Sequence, residues 1–523
     1  MKTKNRFIFS LIIIFILLIF LKIDFRLISE ITCCGDDFDY YIHAKTIAID
    51  GDLDYSNNLP DDPYFYKYQD KLAPKGFVGS GILSSPFLLI GYGLDKLFNP
   101  SQIMNFEILV YSFSSLFYFV LSIIMFNSCL KKLNIKENNF FVLILFFGSG
   151  LPYFVFERYS MAHSYEVFIN TFIFYLIVNL NFEIKLWKLN TISFLIPFVV
   201  VLGLLVKWTN YYLLILPYFY ILCLKEFNNY KFNISRNIFT YISIVFSSLF
   251  YYFINSYIYN RFFLDPRIAY GETKDMVQLL NVNENIVLLL AKYIRDTINI
   301  FFGLEFGLFW FSPIVFLILP IILLNIIDRK FKIFLILLGI FIQTFGVVII
   351  WQSTASSYGY RYLLSLIPLC MVYLVSISKN KKYKYFKYYL YPSSIFASLS
   401  ILFFETNKGT QLSLVEIENS FGKITRYTKP DYLIGYLKSF SNFESYLVIF
   451  VTSFFGLIIF KLLISVFGYE NLLNILESNN LPVTNEDFLQ FYTNTYQLEY
   501  SKILITFLFL ALCSFYIEKS IND

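Results

Sequence analysis

Two adjacent carboxylates, Asp36 and Asp37, open the stretch Gly35-Asp36-Asp37-Phe38-Asp39-Tyr40-Tyr41 just after the first apolar span. Eight Asp and a single Lys, Lys45, fall between Gly35 and Asp62 in a chain of net charge +5. A carboxylate pair just outside a membrane can accept a proton, hold a cation, or form a solvated acidic rim. Three cations stand where such a pair could use them: Lys75, Lys207 and Arg361, each beside an apolar stretch. An anion contact is one use for them; snorkelling to the lipid headgroups is the other for Lys207 and Arg361.

These residues need a scaffold, and composition names it. Hydrophobic residues make up 57% and charged residues 15%, with mean hydropathy +0.60 and apolar runs of spanning length from Phe7 to Phe515. That excludes a soluble enzyme and predicts an all-α polytopic membrane protein with membrane lipids around it. No basic cluster with interleaved aromatics lies outside the membrane, so nucleic acid is not an expected partner. The Phe and Tyr excess follows AT-rich codons, with some Tyr and Trp anchoring at the interface. Cys129, Cys223, Cys370 and Cys513 fall in or beside apolar spans, and Cys33-Cys34 would make only a strained vicinal disulfide.

Helices are expected near 7–24, 103–129, 139–156, 161–181, 190–206, 211–224, 237–258, 308–327, 333–350, 362–378, 388–404, 446–467 and 501–517, about thirteen in all. Lys2, Lys4 and Arg6 precede the first without a small-residue cleavage site after it, so it reads as an uncleaved span. With the N-terminus cytoplasmic and 79–98 not crossing, the short inner segments up to residue 388 collect 19 Lys and Arg. The short outer turns then hold only Arg158, Lys207 and Arg361. Crossing by 79–98 would invert every later loop and destroy this pattern. The stretch is therefore an interfacial or re-entrant helix within a large first outer loop, 25–102. The loop 259–296 and the segment 405–445 lie outside, and 468–500 inside. Domain organisation follows: a transmembrane module over 1–404, and a segment 405–523 of unknown role.

Within the first loop, Asp37 to Ile49 has helical spacing, and Gly51 would end it. Carboxylates at the start of that helix suit the positive end of its dipole, which favours their ionised form.

The Asp36-Asp37 stretch, followed by Asp50-Gly51-Asp52-Leu53-Asp54, resembles the first outer loop of GT-C glycosyltransferases. These polytopic enzymes include protein O-mannosyltransferases, aminoarabinose transferases of lipid A and the RgtA/B/C/D-like family. Where that loop typically carries Asp-Glu, this chain has Asp37. Four further patches are similar: Pro74-Lys75 through Gly79 to Pro86-Phe87, Gly203 to Trp208, Gly303 to Pro313, and Ser357 to Tyr362. Nothing after about residue 375 matches.

The resemblance implies transfer of a sugar from a polyprenyl-phosphate donor to a lipid, glycan or protein acceptor at the outer face of the plasma membrane, usually with inversion. Such transfer needs a base for the acceptor proton, here Asp36 or Asp37, and cations for the departing lipid phosphate, here Lys75, Lys207 and Arg361. His43, Glu157 and His163, with Arg158, could line the acceptor site. No cofactor is expected. Some enzymes of the group need a divalent metal, but they use a further acidic motif in a later outer loop, where this chain offers Glu157; the spacings fit no metal pattern. The alternative is a transporter or lipid-sugar flippase, which would place paired ionisable groups inside its helices. The apolar spans read as nearly free of charge, Lys461 aside.

Overall fold

A computed structural model describes residues 2–20, 36–59, 66–68, 71–98, 106–134, 139–182, 185–226, 237–261, 286–304, 307–328, 333–335, 337–340, 358–378, 385–404, 414–419, 422–427, 432–478 and 499–522. Gly35, Cys33, Cys34 and Ser357 lie outside the described residues, as do most of the loop 259–296, the expected helix 333–350 and the segment 468–500.

The described residues are mainly helical, with α1 Lys2–Ile19, α2 Asp36–Lys45, α3 Gly79–Phe98, α4 Phe106–Lys132, α5 Asn139–Phe147, α6 His163–Phe182, α7 Leu186–Val206, α8 Leu216–Glu226 and α9 Ile238–Tyr259. There follow α10 Ile286–Phe302, α11 Leu308–Phe311, α12 Pro313–Phe316, α13 Ile318–Ile327, α14 Ile367–Ser378 and α15 Tyr385–Phe403. Last come α16 Tyr432–Ser441, α17 Phe443–Thr452, α18 Phe454–Phe467, α19 Tyr469–Ser478 and α20 Tyr500–Asn522. Two antiparallel hairpins qualify the all-α expectation: β1 Tyr66–Tyr68 with β2 Lys71–Ala73, and β3 Leu414–Asn419 with β4 Gly422–Tyr427.

Four described helices, α4, α7, α9 and α20, are long and apolar enough to cross a membrane. A fifth span is possible if α17 and α18, bent by 73°, count as one. The protein is therefore a membrane protein, but several of the expected spans are broken rather than continuous. Gly148-Ser149-Gly150 separates α5 from a π-turn at Tyr153–Glu157, while within 308–327 Ser312-Pro313 parts α11 from α12 and Leu317 parts α12 from α13. A 3₁₀ turn at Trp208–Leu214 precedes α8, and another at Arg361–Leu366 precedes α14. Pro removes a backbone donor and Gly adds freedom, so an apolar run alone does not make one rod. The helix α10 was not expected at all; it carries Lys292, Arg295 and Asp296 among its apolar residues, which masks it from a hydropathy reading.

After α1, α2 passes into a π-turn, Thr46–Asp50, closed by Gly51 at φ +75°. That backbone region is open to glycine at no steric cost, so the expected end of the helix is where the structure has it. α3 packs on α2 and α4, and α4 on α6. Two glycines allow that closeness. A Cβ on Gly79 would come within 2.5 Å of the Leu205 carbonyl carbon at the end of α7, and one on Gly81 within 2.9 Å of the Ala44 amide in α2. The start of α3 thus fixes both α2 and the chain just before Lys207. At its far end, Asp95 accepts hydrogen bonds from the backbone N–H groups of Phe106 (2.8 Å) and Glu107 (2.7 Å), capping α4.

α20 packs on α1 and α4, with Phe509 stacked on Phe113 at 4.4 Å and Asn127 donating to the Ser520 carbonyl at 2.5 Å. The last helix, beyond residue 404, therefore belongs to the same packed body as α1 and α4.

Candidate active site

The two adjacent carboxylates have different surroundings. Asp37 points inward and is fully buried; Arg158, from the turn before α6, donates to its Oδ2 through Nε at 2.7 Å and through Nη2. Ser160 also donates to the Asp37 carbonyl at 2.6 Å, tying the start of α2 to that turn. Burial pushes the Asp37 carboxyl up to about 6, against the pull of Arg158. Its Oδ1 has no hydrogen-bond partner among the described residues. Asp36, by contrast, keeps 24% of its side chain exposed and pairs with Arg361 at 3.0 Å. Of the pair, Asp36 is the carboxylate a substrate can reach.

Arg361 begins the 3₁₀ turn, 325 residues further along the chain, and is itself buried. Its guanidinium carbon lies 5.3 Å from the centre of the Tyr362 ring, and the Lys207 ammonium lies 4.8 Å from the same centre. One half-buried aromatic face thus gathers two cations. Lys207 follows α7 in extended backbone, and its Nζ is 3.4 Å from Glu166 Oε2. Glu166 Oε2 also meets His163 Nδ1 at 2.8 Å. Desolvation lowers the Lys207 amine below its usual range, opposed by Glu166.

Lys75 reaches this group by another route. Asp39, one turn after Asp36 in α2, accepts from the Gly76 amide at 2.9 Å and feels the Lys75 charge. Burial and the neighbouring Asp36 raise the Asp39 carboxyl to about 7. Asp36, Arg361 and Lys207 therefore stand together, with Lys75 attached through Asp39.

The expected acceptor-side residues divide. His43 is fully buried with both ring nitrogens in use: Nε2 lies 2.7 Å from the Gly76 carbonyl and Nδ1 2.6 Å from the Tyr55 hydroxyl. The carbonyl can only accept, so Nε2 carries the proton and Tyr55 donates to Nδ1. Burial lowers this imidazole to about 4, leaving it neutral at pH 7. The structure gives His43 to packing rather than to an open site. Glu157 is buried in the π-turn before Arg158. His163 is buried against Glu166, with its ring 4.6 Å from that of Phe154.

Sequence reading missed Glu166, and with it the charge inside a span. Glu166 sits within 161–181 and is buried, so that stretch is not the uncharged run it was taken for. The signal was present: a lone Glu in an otherwise uncharged apolar helix, three residues after His163. The Asp37–Arg158 pair had no such signal, because 121 residues separate its members.

Among the described residues, no group of three or more His, Cys, Asp or Glu side chains is placed to hold a metal ion. No known family matches the sequence, and no curated protein matches it. Among solved structures, the chain is similar to the crystal structure of the Archaeoglobus fulgidus oligosaccharyltransferase in the apo form, with 12% identity and a TM-score of 0.41. The match covers 94% of this chain and 60% of that one, so the chain spans about 60% of that protein's length.

Proposed function

We propose that the protein is a membrane glycosyltransferase, moving a sugar from a polyprenyl-phosphate donor to an acceptor hydroxyl at the outer membrane face. The observation that carries this reading is the Asp36–Arg361 pair with Lys207 across the Tyr362 ring. A partly exposed carboxylate beside two buried cations supplies the two parts the reaction needs: a proton acceptor and a site for developing phosphate charge. Arg361 holds Asp36 in place while the site waits. The donor phosphate then shares Arg361 and Lys207, which loosens Asp36 as the base for the acceptor. Lys75 adds charge at the rim. Asp37 and Arg158 hold the start of α2 in place, so that Asp36 faces the cations. The acceptor enters beside Asp36.

A second reading has one observation in its favour: Glu166 and Lys207 form a buried ion pair with one member inside a helix, as a lipid-sugar flippase would. Detergent separates the two. Purified protein, given polyprenyl-phosphate-linked sugars and cell-envelope acceptors in micelles, should form a new glycosidic bond. A flippase needs two compartments, so it would form no product in micelles and would move lipid only across liposomes.

A further inference from the structure

Glu166 is the only acidic residue in α6, and its side chain is buried one turn inside that helix. Both of its close partners touch one oxygen, Oε2: His163 Nδ1 at 2.8 Å and Lys207 Nζ at 3.4 Å. A ring nitrogen that donates to a carboxylate has no lone pair left for an ammonium. The 3.5 Å separation between Lys207 Nζ and His163 Nδ1 is then proximity, and the carboxylate is the directed partner of the amine. His163 fixes the carboxylate, and the carboxylate fixes the lysine.

The need for such a partner follows from the surroundings of Lys207. It is 6% exposed. It faces Glu166 and His163 from α6, Arg361 and Tyr362 from the 3₁₀ turn, and Asp36 from α2. Burial and Arg361 both disfavour its charged form; Glu166 and Asp36 favour it. Asp36 is already committed to Arg361 at 3.0 Å, which leaves Glu166 as the dedicated counter-ion.

We propose that Glu166 is a positioning residue of the anion site: it holds Lys207 against the Tyr362 face and keeps the amine charged for the donor phosphate. This rests on the phosphate-binding reading of Lys207 given above. Glu166 itself touches neither substrate, and its effect is exerted through the lysine. Without the carboxylate, the amine holds its proton less tightly and the second cation is lost as pH rises.

The test is binding of farnesyl phosphate to the purified full chain in detergent micelles between pH 6 and pH 9, with thermal unfolding followed on each variant. Wild type should bind no more weakly at pH 9 than at pH 6, because the phosphate monoester only gains negative charge over that range. Glu166→Gln should match wild type at pH 6 and fall progressively below it as pH rises to 9, about tenfold in affinity for each pH unit above the point at which the amine loses its proton. Adding Lys207→Arg to that variant should restore binding at pH 9, because arginine stays charged without a counter-ion. A role confined to packing predicts loss at every pH and no rescue. Glu166→Asp keeps the charge one carbon further from the amine, so it gives the same comparison if the glutamine variant does not fold: weaker binding at pH 9 supports the proposal. Wild-type binding by Glu166→Gln or Glu166→Asp at pH 9 overturns it and leaves the donor reading intact. Failure of the wild type to bind farnesyl phosphate at any pH overturns the donor reading, and the positioning role with it.

Discussion

Asp36 and Asp37 are neighbours in sequence with opposite fates, and that difference separates chemistry from folding in the variants. Asp37→Asn leaves Arg158 buried without its counter-ion, which costs about 3–5 kcal/mol for a broken buried pair. The expected outcome is a lower midpoint of thermal unfolding; an unchanged midpoint would show that the pair is solvated. Arg361→Ala should act on substrate instead, weakening donor use by about 1–3 kcal/mol for a lost charge-assisted contact. Donor kinetics at the wild-type level would leave Arg361 as a structural cation. Asp39 adds a pH effect. Its carboxyl is raised from 3.8 to about 7 in the folded protein, so the fold binds that proton more tightly than the unfolded chain does. The stabilisation is complete below about pH 4 and is lost as pH rises through 7. Thermal unfolding at pH 5 and pH 8 should differ less in Asp39→Asn than in the wild type; an equal difference would place the titration elsewhere.

At the scale of elements, the site depends on how closely α3 approaches its neighbours. Gly79→Ala would drive a methyl group into the backbone at Leu205, just before Lys207. Overpacking of this kind costs about 1–3 kcal/mol, and here it would also move the lysine. Reduced stability together with weaker farnesyl phosphate binding is expected; full binding would show that α7 yields without moving Lys207. What the sequence made legible was local. Helical spacing from Asp37 and the glycine at 51 foretold α2 and its end, but not the π-turn between them. The breaks within the apolar runs were harder, because hydropathy registers residue type and not the backbone bends at Ser312-Pro313 or Gly148-Ser149-Gly150. The grouping of Asp36 with Lys75, Lys207 and Arg361 came from the resemblance, but the pairings within the site could not be read from spacing. Arg361 meets Asp36 across 325 residues, and only the packed helices bring such partners together.

For the whole molecule, the helices enclose a small polar cluster that joins α2 to the turns at 158, 207 and 361. The last helix contributes to that body through the Phe113–Phe509 stack. Phe509→Ala should lower stability by about 2 kcal/mol, less than for a fully buried ring, since Phe509 is half-buried. An unchanged midpoint would make α20 an accessory. The topology proposed from charge places Asn57 outside; Asn57→Cys, at an exposed position, should react with an impermeant thiol reagent from outside intact cells. Labelling from the cytoplasmic side alone would invert the arrangement. The central claim is that Asp36 takes the acceptor's proton in sugar transfer, and the most direct measurement is the glycan composition of envelope material from a deletion strain complemented by wild type or by Asp36→Asn. The account predicts that deletion removes a sugar from one glycoconjugate, that wild type restores it, and that Asp36→Asn, present in the membrane at the same level, fails by roughly 100-fold or more because its amide cannot accept a proton. Restoration of that sugar by Asp36→Asn at the wild-type level would contradict it.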